Sequence, residues 1–151
     1  MGILLSIVMW LAVATAPNVE AESSIWWTDE DVTLLTAIVA AEARGECFEG
    51  QLAVANVILN RLADGRWGDT LEAVVFAPNQ FARPWREYRI QNDADREAWE
   101  RCKEAVLAAL SGERVVSENV LFFQRARRDT WYGAVWYAAI GAHNFFAEVS
   151  E

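Results

Sequence analysis

The sequence predicts an α+β fold, mainly helical, with a small C-terminal β-hairpin or sheet. Three observations predict it. Between residues 29 and 110, apolar side chains recur at the 3.6-residue period of helices with a buried face. Capping residues and glycines cut that stretch into helix-sized pieces. Beyond Gly112 the pattern changes to short β-branched and aromatic runs, Val120 to Phe123 and Val135 to Ile140, joined by a polar, Arg-rich connection. Helices first and strands last is the order of an α+β domain rather than of alternating βαβ units.

The first segment stands apart from this fold. Ile3 to Ala16 is nearly all apolar, yet shorter than the ~20 residues that span a bilayer as a helix. Val19-Glu20-Ala21 places small residues at the two positions a signal peptidase reads, although no Lys or Arg precedes Ile3. Residues 1–21 are therefore expected to be a signal peptide cleaved after Ala21, or an uncleaved anchor that would bring transient membrane association. Residues 22–33 read as linker and helix start, and residues 34–151 as one domain.

Within that domain, Thr28 and Asp31 stand at capping-box spacing, so a helix is expected from about Asp29 to Ala43, ended by Gly45. A second helix is expected from about Glu49 to Leu62. It carries Val54, Val57, Ile58 and Arg61 on one face and Asn56 and Asn60 to one side. Asp69 can cap a short third helix through Val74 to Phe76. Pro78 and Pro84 bracket a loop carrying Asn79, Gln80 and Phe81. Asn92 or Asp93 can cap a long fourth helix with Ala98, Cys102, Ala105, Val106 and Ala109 inward, stopped by Gly112.

Composition narrows the function. The chain has 151 residues, of which 54% are hydrophobic, enough to build a core. Its net charge of -9, with no basic stripe, argues against a nucleic-acid partner. One His and two Cys, with no CxxC, leave no zinc site or Cys/His cluster in view, and no phosphate-binding glycine loop occurs. No metal or cofactor is expected, and a monomer is the simplest state.

Glu42 is the most informative residue. It lies three, four and seven residues beyond Val39, Ile38 and Leu35, on the apolar face of the first helix. A carboxyl group removed from water resists ionisation and can act as a proton donor near neutral pH. Spacing alone favours a carboxylate that rims the helix end, exposed or paired with Arg44 or Arg61, because apolar faces often fray at helix ends. The chain also has eight Trp. Trp67, Trp85 and Trp131 fall in loop-like stretches, where flat aromatic faces can stack on sugar rings. Trp99 and Trp136 are expected in the core, as most aromatics are.

The run AEARGECFEGQLAVANVILNR, Ala41 to Arg61, resembles the signature of the SleB-type cell-wall hydrolases, the family of spore-cortex-lytic enzymes. Pro78-Asn79-Gln80-Phe81, Leu121-Phe122-Phe123 and Ile140-Gly141-Ala142-His143-Asn144-Phe145 agree with it in the same order, so the resemblance covers about Leu34 to Phe146. It implies a lysozyme-like domain that cleaves peptidoglycan between N-acetylmuramic acid and N-acetylglucosamine, typically as a lytic transglycosylase. It implies Glu42 as the catalytic acid/base. Glu46, the second acidic residue of the motif, is the fallback. Asn60, Gln80 and His143 become candidate supporting residues, and Phe81 joins Trp67, Trp85 and Trp131 as candidate substrate contacts.

Three departures stand out. Cys47 occupies a position where relatives often have Pro, Ala82 replaces a hydroxyl residue, and Gln124-Arg125 replaces the usual Asn-Pro. Cys47 and Cys102 either bridge, as exported pairs often do, or remain two separate thiols. The alternatives to a transglycosylase are a hydrolytic muramidase and a non-catalytic glycan-binding protein on the same fold. An amidase or peptidase would need the zinc site or Cys/His pair that the sequence lacks.

Overall fold

A computed structural model describes residues 27–78, 80–81, 88–125, 130–131 and 133–149. The expected signal or anchor, Trp85 and Ala82 lie outside those residues. Four helices precede three strands: α1 (Asp29–Ala43), α2 (Phe48–Asp64), α3 (Leu71–Phe76), α4 (Asp93–Leu110), β1 (Val120–Arg125), β2 (Ala134–Ile140) and β3 (His143–Glu148). The α+β prediction holds, with helix bounds close to those read from sequence.

Local chemistry explains the bounds. The Thr28 hydroxyl accepts from the Asp31 backbone N–H at 3.1 Å, and the Asp31 carboxylate accepts from Thr28 N–H at 3.0 Å. Asp thus completes a capping box in which Glu is usual. Asn92 caps α4 through Asp95 N–H at 2.9 Å. Thr70, rather than the expected Asp69, caps α3. Gly65 ends α2 in the left-handed conformation, φ 79°, its N–H bonding back to the Arg61 carbonyl.

α2 is the centre of the molecule. Every residue from Gly50 to Arg61 is buried, so this helix is wrapped on all sides rather than amphipathic. α1, α4, α3 and β1 pack around it. Its buried polar side chains have specific work. The Asn56 amide donates to Glu113 O at 2.9 Å and accepts from Val115 N–H at 2.9 Å. Asn60 donates to Ser117 O and Val120 O, and Arg61 Nε donates to Leu121 O at 2.7 Å. These groups satisfy backbone groups on the α2 side of the segment that enters β1, and so tie that largely exposed stretch to α2.

The strands form one antiparallel sheet in the order β1-β3-β2. The central strand, β3, was not expected from sequence. Its apolar residues alternate poorly because both of its faces are covered: Phe145 and Phe146 are each 0% exposed. Gly141, at φ 59°, and Ala142 form the two-residue turn between the paired residues Ile140 and His143.

One packing expectation is corrected. Trp136 is 53% exposed: β2 is the edge strand that packs little against the helices, while the other edge strand, β1, packs on α2. Trp99 is half-buried and stacks on Tyr88 against the core, as expected for packing material. Of the two states open for the cysteines, the structure has separate thiols: Cys47 is exposed at the N-cap position of α2, with no capping bond from its side chain, while Cys102 points from α4 into the interior with 0% exposure. Burial pushes the Cys102 thiol up to about 11, making it inert. Among the described residues, no helix is long and apolar enough to cross a membrane.

Candidate active site

Leu35, Ile38 and Val39 are fully buried, and Glu42 emerges half-buried on the same face in the last turn of α1. Two hollows meet there. One, of about 430 Å³, is lined by helix-end residues including Glu42, Arg44 and Glu46, together with Tyr88 and Arg125. The other, of about 230 Å³, is lined by Glu42, Arg61, Gln80 and the sheet-side residues Phe122 to Arg125, with Trp67 and Trp131. Glu42 and Arg125 belong to both, so a groove passes between helix α1 and the sheet, with Glu42 on one wall and Arg125 on the other.

The smaller hollow is aromatic. Trp131 stacks on Phe122 with ring centroids 5.2 Å apart, and Trp67 meets Phe122 edge-on at 6.2 Å. Arg61 forms its floor. Its guanidinium lies 5.3 Å from both the Trp67 and Phe81 rings and 5.9 Å from Phe122. Burial brings the Arg61 pKa down to about 10, while the charge of nearby Glu42 acts in the opposite direction. Arg61 therefore stays cationic at neutral pH and is an electrostatic neighbour of Glu42.

Glu46 lies beyond the end of α1 and faces the other motif. Its Oε2 accepts from the Ala142 backbone N–H at 2.7 Å, and its Oε1 lies 3.8 Å from His143 Nδ1. His143 is buried. Desolvation, the largest influence, lowers its pKa; Arg125 lowers it too, and Glu46 opposes both. At neutral pH the imidazole is accordingly uncharged.

Of the residues singled out from sequence, the structure gathers Glu42, Glu46, Gln80, Trp67 and Trp131 around the groove. Phe81 lies just behind it, packed on Arg61 and Phe123. His143 sits under Phe123 and beside Glu46. Asn60 is placed elsewhere: both its amide bonds tie down the approach to β1, a structural position. Sequence reasoning missed Arg125, Tyr88 and Phe122 as groove residues. A signal existed for Arg125, since Gln124-Arg125 is one of the three departures from the resemblance, and both residues line the groove.

Known proteins bear on this geometry. The profile of the Cell Wall Hydrolase family matches residues 45–146. The chain belongs to that family. Its match begins just after Glu42 and includes Glu46, Arg61, the aromatic lining of β1 and the β2–β3 turn. A spore cortex-lytic enzyme of Oceanobacillus iheyensis is 39% identical over 127 residues, covering 79% of this chain and 42% of that protein. The chain thus spans less than half the length of the spore cortex-lytic enzymes it resembles. Among solved structures, the catalytic domain of the Bacillus cereus SleB protein superposes with a TM-score of 0.67 at 27% identity, covering 84% of this chain and 98% of that domain. The catalytic domain of the germination-specific lytic transglycosylase SleB from Bacillus anthracis gives 0.62 at 28% identity, covering 80% and 96%. This Cell Wall Hydrolase chain therefore has the SleB-type fold along nearly the whole of those catalytic domains.

Proposed function

We propose that this chain cleaves peptidoglycan glycan strands between N-acetylmuramic acid and N-acetylglucosamine, as a lytic transglycosylase with Glu42 as its single acid/base. The observation that carries the reading is the position of Glu42 at the junction of the two hollows, opposite a wall of aromatic and amide side chains. Family membership and the likeness to a domain described as a lytic transglycosylase support it. In the proposed reaction, protonated Glu42 donates to the bridging oxygen as the bond to the sugar's C1 breaks and oxocarbenium character develops. The Glu42 carboxylate then takes the proton of the C6 hydroxyl as that oxygen attacks C1, closing an anhydro ring. The acid is regenerated and no water is consumed.

A hydrolase would need a second carboxylate to place water or form a covalent intermediate. Among the described residues lining the two hollows, Glu46 is the only other acid, and it is engaged with the Ala142 N–H. That engagement favours the single-carboxylate route over a muramidase. Mass spectrometry of digested sacculi tests it: anhydro-muramyl ends are expected. Reducing ends would make the enzyme a muramidase, and an intact sacculus that retains the protein would make it a glycan-binding module.

The substrate lies outside the cytoplasm, so the proposal includes export through residues 1–21. Protein recovered from the medium or periplasm is expected to begin at Glu22; a chain still beginning at Met1 would mean an anchor instead.

A further inference from the structure

The family-like motif at Glu42 and the one at His143 are about a hundred residues apart in sequence, yet one side chain joins them. Glu46 Oε2 accepts from the Ala142 N–H at 2.7 Å, at the tip of the β2–β3 turn. Two glycines make room for it. A methyl group on Gly141 would run into Glu46 Oε2, and one on Gly50 would press within 3.0 Å of Glu46 Cβ. Gly141 also holds φ at 59°, a conformation that presents the following N–H to the carboxylate. His143 follows in the chain and lies beside Oε1. In the sheet, His143 pairs with Arg125. Arg125 is the residue that faces Glu42 across the groove.

We propose that Glu46 is a positioning residue, which clamps the β2–β3 turn to the end of α1 and so sets the distance between Glu42 on the helix wall and Arg125 on the sheet wall. The chain of contacts is short. Glu46 is four residues beyond Glu42 and is held to Ala43 through the Glu46 N–H, at 2.9 Å from the Ala43 carbonyl. Gln51 reinforces this corner from α2, its amide reaching Ala43 O and Glu46 O at 3.3 and 3.2 Å. The carboxylate then fixes Ala142, the turn fixes His143, and the ladder carries that position to Arg125. A charged acceptor on a backbone N–H is a strong, directional tie. A groove that must hold reacting atoms in register loses rate steeply when one wall drifts.

The inference rests on Glu42 as the acid/base, and its test separates the two. Glu46→Gln keeps a carbonyl oxygen that can accept from Ala142 N–H; Glu46→Ala does not. If Glu46 positions, the Gln variant retains activity within about tenfold of wild type with an unchanged pH profile, and the Ala variant falls by about a hundredfold. If Gln and Ala are equally inactive, Glu46 transfers protons and the proposal is overturned. A second readout needs no turnover. Hydrogen exchange at the Ala142 amide is expected to quicken about tenfold or more in Glu46→Ala and little in Glu46→Gln. Unchanged protection in Glu46→Ala would overturn the clamp even if the enzyme lost activity.

Discussion

Glu42 shows how one residue draws its meaning from three neighbours. The buried face of α1 delivers it to the groove, Arg61 lies close enough to feel its charge, and Arg125 faces it from the sheet. Replacement by Gln keeps the shape and removes the transferable proton. Glu42→Gln is expected to lower glycan cleavage by at least ~10²-fold, with the melting temperature and sacculus binding unchanged. Assay of turbidity loss and product release beside a pull-down on sacculi checks it. Wild-type turnover by this variant would sink the assignment. The neighbouring Glu46 carries the same functional group to a different end, because its oxygens are spent on a backbone N–H and on the flank of a buried, uncharged imidazole.

At the scale of elements, α2 is the organising part. It is buried along nearly its whole length, so its polar residues can persist only with partners. Asn56 supplies two hydrogen bonds to the stretch between α4 and β1. Asn56→Leu has similar volume but takes the amide partner from Glu113 O and Val115 N–H, both part-buried. An unsatisfied buried group costs ~1–3 kcal/mol, and water can reach part of this stretch, so the variant is expected to lose roughly 1–3 kcal/mol. That corresponds to a fall in melting temperature on the order of 10 °C for a domain of this size. Calorimetry or thermal circular dichroism checks it; a melting temperature within a degree or two of wild type would mean that water replaces the amide. The same reasoning applies to Asn60, whose amide donates to Ser117 O and Val120 O.

At the scale of the whole molecule, the two cysteines report on its integrity. Cys47 is exposed at the start of α2, and Cys102 is sealed in the interior with its thiol held protonated. A neutral-pH alkylating reagent is expected to label one thiol per native molecule, at Cys47, within minutes. Cys102 should label only at the rate at which the domain opens, and fully in denaturant. Peptide mass spectrometry reads both. A protein that takes no label until reduced would instead contain the bridge that the structure lacks. A free Cys47 beside the groove also means that the turn after Glu42 draws its stiffness from Glu46 and Gln51 rather than from a disulfide or the Pro frequent in relatives.

Much of this was readable in the linear chain, for physical reasons. Helices are set by local spacing and capping, so Thr28-Asp31 and Asn92 marked the starts of α1 and α4 without reference to anything distant. The 3.6-residue period put Glu42 on the face of Leu35 and Ile38, and that is where it lies. The order of motifs carried the family. What the sequence alone could not decide depends on contacts made across long loops. β3 is a strand because its neighbours β1 and β2 pair with it on both edges, and burial on both faces erases the alternation that would announce it. Trp136 is exposed because β2 is the edge strand that packs little against the helices, whereas the other edge strand, β1, lies on α2. Cys47 and Cys102 stay apart because one faces solvent and the other the core. The groove itself, with Arg125 opposite Glu42 and Glu46 bound to the Ala142 N–H, exists only once the end of the sheet folds back on the end of the first helix, and no local pattern of residues encodes that distance.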